Sequence, residues 1–123
     1  MSSFVDIYRM TDPGRLLVRA RWCSSFFCRL RGLTFRRKLH PGEGLLLVDH
    51  SESRLNASIH MWMVFFPIGV IWLDSEQRVV DTLIARPWRV YLPAGAAQYI
   101  LEGEPSIVDA VKVGEHLGWN DVG

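Results

Sequence analysis

Residues 59–84 read IHMWMVFFPIGVIWLDSEQRVVDTLI, and the fold class turns on them. Ile59 to Phe66, Val70 to Leu73 and Val79 to Ile84 are runs of strand length, rich in β-branched and aromatic side chains. Pro67 cannot donate to a ladder, so it predicts a bend or bulge between the first two runs. Asp74-Ser75-Glu76-Gln77-Arg78 reads as the hairpin loop joining the second run to the third.

Working outward, the same grammar repeats. Turn signals recur at Asp12-Pro13-Gly14, His40-Pro41-Gly42, Pro93-Ala94-Gly95 and Gly103-Glu104-Pro105. Upstream, Leu45 to Val48 is a continuous apolar run, as in a strand buried on both faces. Leu16 to Ala20 is an earlier strand. Between these two, Ser24 or Ser25 offers an N-cap, and Phe26, Phe27, Leu30 and Leu33 follow at helical spacing, with Gly32 as a helix stop. Downstream, Gln98 to Glu102 predicts a strand, Ser106 to Val111 a helical turn, and Lys112 to Trp119 a last strand around Gly114. The expected fold is mainly β, a small open barrel or sandwich of about eight short strands with one or two short helices, and α+β as the fallback. The expected boundaries are an N-terminal extension over 1–14, one β-rich domain over 15–119, and a C-terminal tail over 120–123.

Composition sets limits on function. The 123 residues suit one domain, and the apolar fraction of 49% with 22% charged residues suits a globular one. A formal net charge of +1 favours neither nucleic acid nor an acidic partner. The charge is unevenly spread: residues 1–40 hold nine Lys/Arg against two acids, and residues 100–123 hold one against five. In a compact fold such segments pair with each other or face solvent. Cys23 and Cys28 have neither a CxxC nor a metal spacing. On one helix, five residues would turn the thiols about 140° apart, so they are expected to stay reduced as small apolar fillers. No run approaches the roughly 20 apolar residues of a membrane span, and no signal-length apolar run opens the chain. A cytoplasmic setting is expected.

The order of the motifs carries a resemblance. Arg29-Leu30-Arg31-Gly32-Leu33-Thr34 is followed by Gly42-Glu43-Gly44-Leu45-Leu46, then Trp62-Met63, Phe66-Pro67-Ile68 and Val70-Ile71-Trp72-Leu73-Asp74. Arg78-Val79-Val80, Arg86-Pro87-Trp88, Ala97-Gln98-Tyr99-Ile100-Leu101-Glu102 and Val113-Gly114-Glu115 come after them. Over roughly residues 15–119 the chain resembles the prokaryotic family known as domain of unknown function 192. The resemblance implies a small β-rich sandwich or barrel and carries over no biochemical activity. Two positions depart from the family pattern: Thr34 stands where Met follows Arg-Gly-Leu, and Gly69 where members often have Asp after Pro-Ile. An activity needing that acid would be missing here, and Gly69 therefore favours binding over catalysis.

Three groups of residues could carry chemistry. On an ideal strand His60 and Trp62 share a face, so their polar atoms emerge together beside an apolar surface. That is a pocket wall, or else the edge of a core. Arg31 beside Gly32 can clamp a carboxylate bidentately, either a ligand's or that of Asp74, Asp81 or Glu102. Arg86-Pro87-Trp88-Arg89 offers a stiffened, cation-flanked ring for stacking, or a plug for the barrel end.

Whole classes fall away on motif grounds. There is no GxSxG elbow, no phosphate-cradling glycine loop, and no HxH or HxxxH pair among His40, His50, His60 and His116. No cofactor or metal is implied. Single-stranded nucleic acid is disfavoured, since the basic residues concentrate before position 40 while most Trp residues lie after 60 among acids. The reading that remains is a non-catalytic binding or interaction module. Arg31, His60, Trp62, Arg86 and Trp88 would face a small anionic or aromatic ligand or a peptide segment. The alternative is a hydrolase-like enzyme with His60 as general base, oriented by Asp74 or Glu102.

Overall fold

The computed structural model describes residues 3–25, 28, 42–61 and 64–122. Among them the chain forms nine strands and one 3-10 helix. The strands are β1 (Phe4–Arg9), β2 (Asp12–Cys23), β3 (Glu43–Ser53), β4 (Ile59–His60), β5 (Ile68–Leu73), β6 (Val79–Ala85), β7 (Val90–Tyr91), β8 (Ala97–Gly103) and β9 (Leu117–Asp121). The 3-10 helix is Pro105–Ala110. Seven strands make one sheet in the order β6-β5-β8-β3-β2-β1-β9, and β4 pairs with β7 in a separate ribbon. Only β2 and β3 run parallel; the other pairs are antiparallel.

The sheet has a core on each face. Leu45, Leu47, Ile68, Val70, Trp72 and Ile100 project to one side, where Ala57, Ile59, Met61 and Val64 cover them. Trp72 fixes that cover by donating its indole N–H to the Ala57 carbonyl at 2.8 Å. Leu46, Ile71, Leu73 and Leu101 project to the other side with Val5, Ile7, Val18, Val79 and Leu117. All six residues of β5 are buried, which explains why it shows a continuous apolar run and no alternation. The edge strands approach at one end, through the isolated bridge between Arg78 and His116 and the N–H of Val79 on the Glu115 carbonyl at 2.9 Å. The sheet thus curls without closing, an open sheet and not a sealed barrel.

The hairpin expected at 74–78 is present. Asp74 Oδ1 accepts the N–H groups of Glu76 and Arg78, both at 2.9 Å, and Gln77 takes a left-handed φ of 65°. The short helix at Pro105–Ala110 is also where the sequence put it. Other readings need correction. Phe4–Arg9, taken as part of an extension, is a strand between β2 and β9, and β9 runs on to Asp121. The run from Ile59 is a strand only as far as His60, because the Val64 N–H turns back onto the Met61 carbonyl. Lys112 to Glu115 is a turn with Gly114 at φ 98°, so the last strand starts at Leu117. The expected helix with its stop at Gly32 lies outside the described residues, although Ser25 Oγ accepts the Cys28 N–H at 3.1 Å as an N-cap would.

The cysteines are not free. Cys23 and Cys28 form a disulfide, with their Cα atoms 5.6 Å apart. The helical argument fails because Cys23 ends a strand while Cys28 follows the Ser25 turn, so the two never share a helix. Alkylation without prior reduction should leave both residues unlabelled by mass spectrometry. Replacing both with serine should cost about 2 kcal/mol, the chain-entropy value for so short a loop. Two labelled thiols in protein purified without reductant would contradict this.

Candidate functional site

Of the candidate residues, His60 lies on the β4–β7 ribbon, and Arg86 and Trp88 lie on the segment that leads into β7. His60 pairs with Val90 and Ile59 with Tyr91. Strand alternation sends Ile59 into the core, only 5% exposed, and turns His60 outward to solvent. Beyond the ribbon the main chain stays tied: the Met61 N–H meets the Arg89 carbonyl at 2.7 Å, and the Trp88 N–H meets the Met61 carbonyl at 2.8 Å.

Trp88 holds a left-handed φ of 66°, an uncommon and costly conformation for a bulky residue. Its ring meets Phe65 edge to face with centroids 6.2 Å apart. Both rings are about half exposed, Trp88 at 48% and Phe65 at 52%, and Val90, which pairs with His60, is 52% exposed. Arg86 is exposed, and its N–H is anchored by the Tyr91 hydroxyl at 2.9 Å. His60, Arg86 and Trp88 are all exposed, and they lie on two chain segments that main-chain bonds hold together. Arg31 and Trp62 lie outside the described residues. Phe65 was not foreseen; only its place after the aromatic-Met stretch hinted at it.

The acids behave differently from one another. Asp74 uses Oδ1 on the hairpin, and Asp81 accepts the N–H groups of Thr82 and Ala94, both at 2.9 Å. Glu102 is the buried charged side chain among the described residues, 5% exposed, and its Oε1 has no hydrogen-bond partner there. It lies on β8 between Leu45 of β3 and Val70 of β5, on the same face as Ile100. Burial pushes its carboxyl up to about 7. His60 faces outward, and among the described residues no hydrogen bond joins it to Asp74 or Glu102.

Gly69 is explained by packing. A Cβ there would stand 2.5 Å from the Glu104 carbonyl oxygen and 2.8 Å from Ile107 Cγ1. It shares the face of Ile71 and Leu73, opposite the face that the ribbon covers. An acid at this position would not reach His60, so Gly69 does not separate binding from catalysis. Among the described residues no three His, Cys, Asp or Glu side chains group as metal ligands, and no helix is long and apolar enough to cross a membrane.

Comparison with known proteins follows the same outline. Residues 9–119 match the family model of DUF192, described as an uncharacterized ACR. A UPF0127 protein of Thermococcus sibiricus is 41% identical over 103 residues, covering 82% of this chain and 66% of that protein. A UPF0127 protein of Pyrococcus furiosus is 38% identical over 113 residues, covering 90% of this chain and 95% of that protein. Among solved structures, a candidate transcription regulator of Sinorhizobium meliloti superposes with a TM-score of 0.81 at 18% identity, over 97% of this chain and 94% of the other. A Novosphingobium aromaticivorans protein of unknown function gives 0.75 at 20% identity, over 94% and 84%. At these identities the structures attest the fold alone.

Proposed function

The chain belongs to the uncharacterised DUF192 family, and from that premise we propose that it is a non-catalytic binding module whose ligand docks on the β4–β7 rim. The ligand class is a small anionic or aromatic molecule or a peptide segment. The observation that carries this reading is the exposed Trp88–Phe65 pair, with the exposed Arg86 two residues before Trp88 in the chain. An aromatic face next to a guanidinium suits planar and anionic groups, and a strained backbone at Trp88 is the kind of feature a binding rim retains. Arg31 and Trp62 complete the proposed set, adding a second cation and a second flat surface. The proposal includes a cytoplasmic setting, where the Cys23–Cys28 bond would persist only if the cell tolerates intracellular disulfides, as hyperthermophilic archaea do.

A thermal-shift panel of aromatic acids, other small carboxylates and short peptides tests the reading. Trp88→Ala and Arg86→Ala should each abolish the shift given by a stabilising compound, while leaving the unliganded fold within about 1–2 kcal/mol of wild type. Undiminished shifts in both variants would overturn it. A second reading rests on Glu102, since a buried carboxyl titrating near neutrality can serve as a general acid or base. Turnover of an ester or amide panel with a pH inflection near 7, lost in Glu102→Gln, would favour that reading over the first.

A further inference from the structure

On the face of the sheet opposite the ribbon, three aromatic residues from three strands meet. Trp22 follows Val18 and Ala20 by twos along β2, Tyr99 precedes Leu101 on β8, and Trp119 follows Leu117 on β9. Alternation therefore turns all three toward the curl's inner core, against which they pack. Trp22 and Trp119 meet edge to face at 6.2 Å and 67°, and Tyr99 and Trp119 at 5.0 Å and 69°.

Two of these rings wall a cleft of about 310 Å³, which Ser3, Val5 and Asp121 complete. Both indoles line the cleft, and the π face of an indole is electronegative. Asp121 is two residues from Trp119, so it shares that face, and it is exposed at the mouth. It is the one charged side chain among the described lining residues, and no basic residue joins it. A carboxylate and π faces above an apolar floor reject anions. They favour a cation that sheds water easily, and a methylated ammonium ion does so far better than a primary one.

We propose that this cleft between β1, β2 and β9 binds a small free quaternary or methylated ammonium ion, held against the Trp22 and Trp119 rings by the Asp121 carboxylate. The cleft's volume is at the lower end for small-molecule sites, enough to hold a choline-sized ion whole. The site is separate from the β4–β7 rim and does not depend on what that rim binds.

Titration with choline and tetramethylammonium, followed by the indole N–H resonances of Trp22 and Trp119, tests the proposal. Saturable millimolar shifts are expected, with none from 3,3-dimethylbutan-1-ol, the uncharged isostere of choline. Trp119→Leu should weaken choline by more than about tenfold. Asp121→Asn, an exposed change that leaves packing alone, should weaken it roughly threefold to tenfold. Equal shifts from choline and its uncharged isostere, or no saturable shift from either cation, would overturn the assignment. So would binding confined to a trimethyllysine peptide, which would make the cleft a reader of protein tails.

Discussion

Gly69→Asp should unfold this domain or bring it close to unfolding, with a loss of more than about 4 kcal/mol. The first β-carbon alone would have to occupy space 2.5 Å from the Glu104 carbonyl and 2.8 Å from Ile107. The first of these neighbours is backbone leading into the 3-10 helix, and it cannot swing aside as a flexible side chain can. Gly69→Ala should therefore already cost about 1–3 kcal/mol from overpacking. Aspartate adds a carboxylate set against an apolar core, which costs several kcal/mol more unless it is paired. Urea denaturation of the two variants should give midpoints falling in the order Gly, Ala, Asp. A wild-type midpoint for Gly69→Asp would mean that the 3-10 helix does not sit against β5 as described.

Stability should also fall as pH rises between about 4.5 and 7, and Glu102 is the cause. Its carboxyl is raised from an ordinary 4.5 to about 7 by burial, so within that window the folded state binds a proton that the unfolded chain has lost. Below the window both states are protonated and the group is neutral to stability. Above it both are ionised, and the folded protein carries the full desolvation penalty, about 3 kcal/mol at 1.36 kcal/mol per pKa step. Glu102→Gln should abolish this slope and make the variant the more stable protein at pH 8. Asp6 does not blur the window, because hydrogen bonds from Arg19 at 2.6 and 2.9 Å hold its carboxyl below the usual range. Urea midpoints measured from pH 4 to 8 for both proteins decide the matter. Parallel curves would show that Glu102 is not buried as an ionisable group.

Much of the fold was legible because its signals are local. A β-branched run, a proline that cannot donate and an Asp that caps its own turn act within a few residues. Thus β5, β6 and the 74–78 hairpin are read correctly from 59–84, and the 3-10 helix from Pro105 onward. The sequence also holds the order of motifs that marks the family. Two short strands escaped for the same local reason. β1 carries Asp6 and Tyr8 among its apolar residues, and β7 has only Val90 and Tyr91.

Tertiary structure decided the rest, because each remaining property depends on which distant residue lies opposite. Glu102 titrates near neutrality only because β3 and β5 flank it and bury it. Gly69 is required only because the 3-10 helix comes back over β5. Cys23 and Cys28 bond because a strand end and a turn bring them together, where one continuous helix would have kept them apart. Trp22 and Trp119 lie nearly a hundred residues apart in sequence, and sheet order alone sets their rings 6.2 Å from each other. Residue type and spacing fix what a segment can form; burial, ionisation and ring contact are set by register across strands, which no single segment encodes.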